Sequence, residues 1–149
     1  MAANVLIRPV GRDERAAWEP LWNGYLAFYE ATLAPGASDL AWERFHDADE
    51  PMFLLGAYVD GQLTGIVQYL FHRSSWTPGN YCYLQDLFVA EAARGLGIGR
   101  ALIEAVYEKA RAAGASRVHW LTQTSNARAR ILYDQVAENT GSMQYRKVL

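Results

Sequence analysis

Apolar positions along this chain change period several times, and each change marks an element. Residues 5–8 read as a first strand. Trp18, Leu21, Trp22, Tyr25, Leu26 and Tyr29 then recur at i, i+3, i+4, i+7, i+8 and i+11, the spacing of one apolar face on a helix. Pro20 is awkward there, because its ring removes a backbone hydrogen bond unless it lies in the first turn or marks a kink. A shorter helix is expected from Ser38 as N-cap, with Leu40, Ala41 and Phe45 turned inward. Residues 52–59 and 62–71 are apolar runs joined by Asp60-Gly61, a strong hairpin signal.

A Ser, Pro and Gly-bearing loop over 73–80 leads to a strand over 81–89. A helix follows over 97–113, with Ile98, Ala101, Leu102, Ala105 and Val106 in register and Gly114 as its stop. Residues 118–122 form another strand. A last helix over 126–136 carries Ala129, Leu132, Tyr133 and Val136 on one face, and residues 143–148 close as a short strand. The order β-α-α-β-β-β-α-β-α-β predicts an α/β fold with a mixed sheet. Hairpins give antiparallel pairs, and the helical crossover over 97–113 gives a parallel one.

The chemistry concentrates where the strand over 81–89 gives way to a helix. Tyr83-Leu84-Gln85-Asp86-Leu87-Phe88-Val89 is followed by Arg94-Gly95-Leu96-Gly97-Ile98-Gly99-Arg100. A strand, a glycine-rich turn and a helix N-terminus present consecutive free N–H groups to a phosphate. Glycines keep side chains out of the anion's way and allow positive φ. Arginines at either end add charge-assisted hydrogen bonds. The spacing excludes two common cradles. Gly-x-Gly-x-x-Gly fails because Arg100 stands three after Gly97 and Leu102 three after Gly99, and no Gly-x-x-x-x-Gly-Lys-Ser/Thr run exists. What remains is Arg94-x-x-Gly97-x-Gly99, read first as a site for a pyrophosphate-bearing cofactor and otherwise as a glycine-rich strand-to-helix connection with no ligand.

Bulk properties narrow the setting. The 149 residues suit one domain spanning 1–149, with an apolar fraction of 51% and a charged fraction of 20%. A net charge of −2 argues against nucleic acid as partner. The lone Cys82 excludes an internal disulfide and suits an inert buried thiol. No apolar run approaches the roughly 20 residues of a membrane span, and the N-terminus lacks a signal pattern, so no membrane partner and a cytoplasmic location are expected. His46, His72 and His119 are scattered without metal-site spacing, so no metal is expected. Trp76, in the loop before the strand over 81–89, is read either as a ring that stacks on a cationic substrate or as a lid over the core.

Arg94-x-x-Gly97-x-Gly99 after a Leu-Phe-Val strand resembles the acetyl-coenzyme A signature of the GNAT superfamily of N-acetyltransferases, and Asn126 through Tyr133 resembles its second motif. The resemblance covers nearly the whole chain. Gly65 to Val89 is most similar to the diamine (spermidine/spermine) and Hpa-type acetyltransferases. The resemblance implies a single-domain GNAT-type fold, with a mixed, mostly antiparallel sheet flanked by about four helices and a splayed pair of central parallel strands. It also implies a homodimer and direct acetyl transfer from acetyl-CoA to a primary amine: a diamine or polyamine, an amino acid, an aminoglycoside or a protein lysine.

In that frame the backbone of Gly95, Leu96, Gly97, Ile98, Gly99 and Arg100, with Arg94, would hold the pyrophosphate. Leu87, Phe88 and Val89 would hold the pantetheine amides as an added strand, with Asn126 and Ala129 beside that arm. Tyr133 is the expected acid for the departing thiolate, since a phenol stays neutral near pH 7. Asp86 is the candidate base, and Gln85 and Trp76 would meet the acceptor. The chain departs from the diamine subgroup at Gln85, where that subgroup has glutamate, and an amide cannot accept a proton at useful pH. Gln85 and Asp86 are expected on opposite strand faces. Glu91 replaces the usual proline after the strand, and Gly141-Ser142 the usual Gly-Phe. Gln85 also permits the alternative of an acetyl-CoA-binding sensor or interaction module. Glu30, Asp39 and Glu43 read as solvated helix positions, and Arg130 as solvated.

Overall fold

The computed structural model describes residues 4–149. Among them, five strands lie side by side in chain order: β1 (Val5–Pro9), β2 (Met52–Val59), β3 (Gln62–Arg73), β4 (Asn80–Val89) and β5 (Val118–His119). The first four pair antiparallel and β4 pairs parallel with β5. Four helices are added: α1 (Arg15–Phe28), α2 (Ala37–Phe45), α3 (Ile98–Ala112) and α4 (Ala127–Val136). This is the mixed, mostly antiparallel α/β sheet expected, with α3 as the crossover that makes β4 and β5 parallel.

Strand alternation builds two cores, one on each sheet face. Leu55, Ala57, Val67, Tyr69, Cys82 and Leu84 face α3 and pack on Ile98, Leu102, Ile103 and Val106, with Leu132, Tyr133 and Val136 of α4 against them. Leu54 and Ile66 face the other way, onto Trp18, Leu21 and Trp22 of α1 and Trp42 of α2. The Asp60-Gly61 turn has positive φ at both residues (51° and 81°), as a tight hairpin between β2 and β3 requires.

Several expectations are corrected. Pro20 lies inside α1, beyond its first turn, where the buried Trp18, Leu21 and Trp22 on either side outweigh one missing hydrogen bond. The N-cap of α2 is Gly36, in the left-handed region at φ 81°, not Ser38. Ser38 instead accepts a hydrogen bond from Trp22 Nε1 at 3.0 Å. Leu40 is exposed, and the larger Trp42 takes the inward position.

The last two strands also differ. β5 covers only Val118–His119, because its pairing with β4 stops at Tyr83↔His119 while β4 runs on to Val89. Without a ladder partner, residues 120–122 are no strand. Residues 143–148 form none either. Met143, Tyr145 and Val148 are exposed, and no neighbouring strand takes their backbone among the described residues.

Candidate active site

The glycine turn after β4 has the expected construction. A 3-10 turn over Glu91–Ala93 holds despite the missing proline, closed by bonds from Ala93 N to Ala90 O and Arg94 N to Glu91 O. Gly95 and Gly97 then have φ of 84° and 79°, which side-chain-bearing residues avoid, and Gly97 is the N-cap of α3. The next backbone bond runs from Ala101 N to Gly97 O. Among the described residues the amides of Gly95 to Arg100 therefore donate no backbone hydrogen bond, and the positive end of α3 adds to them. Arg94 folds back, its Nε on Val89 O at 3.1 Å and its guanidinium 5.6 Å from the Phe88 ring. Arg100 is turned to α4 instead, with Nη2 on Gln135 Oε1 and Nη1 near Glu104.

The pairing break leaves an open edge beside this turn. β4 bonds β3 along its length, but from Leu84 to Val89 its other edge has no strand partner among the described residues. The backbone of Leu87, Phe88 and Val89 lies on that edge.

A bulge in β4 decides which side chains face α1. Gln68 pairs with Asp86 and Tyr69 with Leu84, so Gln85 is the extra residue, unpaired and exposed. A bulge shifts the alternation by one residue, and Tyr83 and Asp86 therefore share the α1 side of the sheet. Asp86 Oδ2 accepts a 2.8 Å bond from Gln68 Nε2, and Gln68 Oε1 accepts one of 2.8 Å from the fully buried Trp18 Nε1. Burial raises the Asp86 pKa, opposed by hydrogen bonding to Tyr25 and Gln68. Tyr25, Tyr29 and Tyr83 all have raised pKa values, burial first and the Asp86 charge second. Asp86 is thus a carboxylate held by an amide and a tyrosine hydroxyl. Gln68, Trp18 and Tyr25 were missed as site residues because they read as strand interior and core.

From the opposite face, α4 supplies Tyr133. Asn126 is the N-cap of α4, and its Nδ2 donates to Thr122 Oγ1 at 3.3 Å. Ala129 is half-buried one turn on. Tyr133 packs edge-on against Trp120 with ring centroids 5.4 Å apart. Its phenol is pushed up to about 12 by burial and then by the charge of Tyr29.

The remaining candidates sort quickly. Trp76 is 82% exposed in its loop, with the Arg117 guanidinium 5.8 Å from its ring. Arg130 donates to Thr124 O at 2.8 Å, where a solvated side chain was expected. Asp39 pairs with Arg15 and Glu43 with Arg12 at the surface. Cys82 is buried, its thiol pushed up to about 11, too high for a nucleophile near neutral pH. The histidines are not all scattered: His72 and His119 meet with Nε2 atoms 3.1 Å apart. Among the described residues no group of three or more metal-ligating side chains is found. No helix there is long and apolar enough to cross a membrane.

Comparison with known proteins agrees with this architecture. Residues 18–137 match the model of the Acetyltransferase (GNAT) family. The chain belongs to that family. It is 33% identical over 147 residues to the D-amino-acid N-acetyltransferase HPA3 of Saccharomyces cerevisiae, covering 96% of this chain and 90% of the relative. Among solved structures, the ribosomal-protein-alanine N-acetyltransferase of Brucella melitensis superposes with a TM-score of 0.80 at 25% identity, over 100% of both chains. An aminoglycoside acetyltransferase, AAC(6')-Iy, in complex with a coenzyme A bisubstrate analogue, shares the fold with a TM-score of 0.83 at 19% identity, over 99% of this chain and 100% of that one.

The chain is thus an acyltransferase, using acetyl-CoA and acting on amino groups. The residues present fit that donor. The amides of Gly95 to Arg100 match a diphosphate, and the unpaired β4 edge matches the amide-bearing arm that follows it.

Proposed function

We propose that the turn over Arg94, Gly95, Leu96, Gly97, Ile98, Gly99 and Arg100 grips the diphosphate of acetyl-CoA, mainly through backbone N–H groups. The free edge at Leu87, Phe88 and Val89 then takes the pantetheine amides, with Asn126 and Ala129 of α4 closing the other side. The donor supplies an acetyl group already activated as a thioester. One freed amide on β4 would serve as oxyanion donor, a contact worth about 3 kcal/mol in other acyl transfers. Tyr133, held neutral by burial, donates its phenolic proton to the departing sulfur. The observation that carries this reading is the run of unbonded amides beside the break in β4–β5 pairing.

On the acceptor side, Asp86 binds the substrate ammonium, with the Tyr25 hydroxyl bonded to that carboxylate and Tyr29 and Tyr83 close enough to feel its charge. Gln85 at the bulge would add an amide contact, and the exposed Trp76 ring would stack on the far end of the acceptor. Two points favour the primary amine of an amino acid over a polyamine. Gln85 removes one carboxylate from the site, and a relative at 33% identity is a D-amino-acid N-acetyltransferase. The test is a thiol-release assay across amino acids, diamines, aminoglycosides and lysine peptides. Turnover on amino acids with a fall of about 100-fold in Tyr133→Phe is expected. Preference for polyamines, or undiminished turnover in that variant, would contradict the assignment.

A further inference from the structure

The amine loses protons as it is acetylated, and one cluster on the acceptor face is suited to take the first of them. His72 of β3 and His119 of β5 are 47 residues apart in the chain, yet their Nε2 atoms lie 3.1 Å apart. His72 Nδ1 is 2.8 Å from the Arg73 carbonyl. A carbonyl only accepts, so this nitrogen carries the hydrogen, and neutral His72 offers a bare Nε2 lone pair. His119 must then donate from its own Nε2, which leaves Nδ1 as its basic atom. Among the described residues the one hydrogen bond His119 makes through its ring is at Nε2, so Nδ1 is left without a protein partner.

The surroundings fix this ring at the reacting end of the sheet. His119 is the last β5 residue paired with β4, at the point where the strands part. It stacks on Tyr83 with centroids 5.0 Å apart and planes within 6°, and Tyr81 meets it edge-on at 6.3 Å. Tyr83 in turn feels the Asp86 charge. The charged and titratable groups around the imidazole are His72 from β3, Tyr81 and Tyr83 from β4, and Arg117 just before β5. Burial, then His72 and Arg117, hold His119 below its ordinary pKa, so it is neutral near pH 7 and free to accept.

We propose that His119 is the proton acceptor of the reaction and that His72 is the residue that positions it. This rests on acetyl transfer to an amine at this site, and it moves the base from Asp86 to the histidine pair. A carboxylate beside an ammonium stabilises the protonated amine, whereas attack needs the neutral one. Asp86 therefore anchors, and a neutral imidazole deprotonates. The ammonium N–H bond breaks, directly or through one water, and the proton goes to His119 Nδ1. The nitrogen lone pair forms the C–N bond and the C–S bond breaks. Tyr133 protonates the sulfur and is replenished by the nitrogen's second proton. His119 returns its proton to solvent, so one proton is released per turnover.

Two measurements on the full chain test this. Nitrogen-15 NMR of the free protein should show His119 as the Nε2–H tautomer, titrating below the usual value of about 6.5. His119→Gln should lower kcat about 100-fold and remove the acid limb of the kcat/KM profile, with coenzyme A affinity by calorimetry unchanged. His72→Phe should lower kcat about tenfold at constant KM, and His72→Gln, whose amide oxygen can accept the same Nε2–H, should restore most of it. A His119→Gln enzyme with its rate and acid limb intact, or an Nδ1–H tautomer at His119, would overturn the proposal. Wild-type protein that binds coenzyme A but acetylates no amine would instead overturn the acetyl-transfer reading beneath it, and this proposal with it.

Discussion

Gln68 is the buried polar residue on which the acceptor side depends, and its role follows from what an amide can do. One end accepts from Trp18 and the other donates to Asp86, so a core indole and a site carboxylate are satisfied by one side chain. Gln68→Leu keeps the bulk and removes both bonds. It should cost about 2 kcal/mol in urea unfolding, the penalty for unpaired buried groups, and reduce activity as Asp86 loses its orientation. Unchanged stability would mean that water replaces the amide. The sequence shows Asp86 and Tyr133 because each lies near a local motif. It does not show Gln68 with Trp18 or His72 with His119, whose meetings depend on sheet register across 50 and 47 residues.

Elements set the distances between such residues. Gly24 in α1 faces Phe88 so closely that an added Cβ would lie 2.9 Å from its ring. That contact draws α1, with Tyr25 and Tyr29, down onto the site end of β4. Gly24→Ala should push the helix outward and destabilise by about 1–3 kcal/mol, as overpacking does, despite alanine's better helix propensity. Higher KM for the amine is expected; a thermal midpoint at or above wild type would contradict it. The elements themselves were largely legible, from the 3.6-residue face of α1 to the Asp60-Gly61 hairpin and the glycine turn. Less so were their ends. The extent of β5 and the bulge at Gln85 depend on where a neighbouring strand stops pairing, and no local pattern records that. Ser38 gave a convincing N-cap signal, but Gly36 could enter the left-handed region and took the position.

At the scale of the molecule, two cores lie on opposite faces of one sheet. Arg8, Glu14 and Tyr58 tie β1, the turn before α1 and β2 together. Hydrogen bonding to Arg8 first, with Gly11 N and Tyr58 assisting against burial, lowers the Glu14 pKa to about 2 from 4.5. A depressed carboxylate stabilises the fold above its unfolded pKa, and that contribution is lost as pH falls from about 4.5 toward 2. Glu14→Gln should lower the thermal midpoint at neutral pH and flatten its decline in that window, and an acid profile parallel to wild type would contradict the linkage. The central claim is that free amides from Gly95 to Arg100 hold the donor by its diphosphate, and the direct measurement is calorimetry with coenzyme A and with pantetheine, which lacks that group. The account predicts one-to-one binding of coenzyme A, with pantetheine weaker by at least tenfold, or about 1.4 kcal/mol. Equal affinities, or no affinity for coenzyme A, would contradict it.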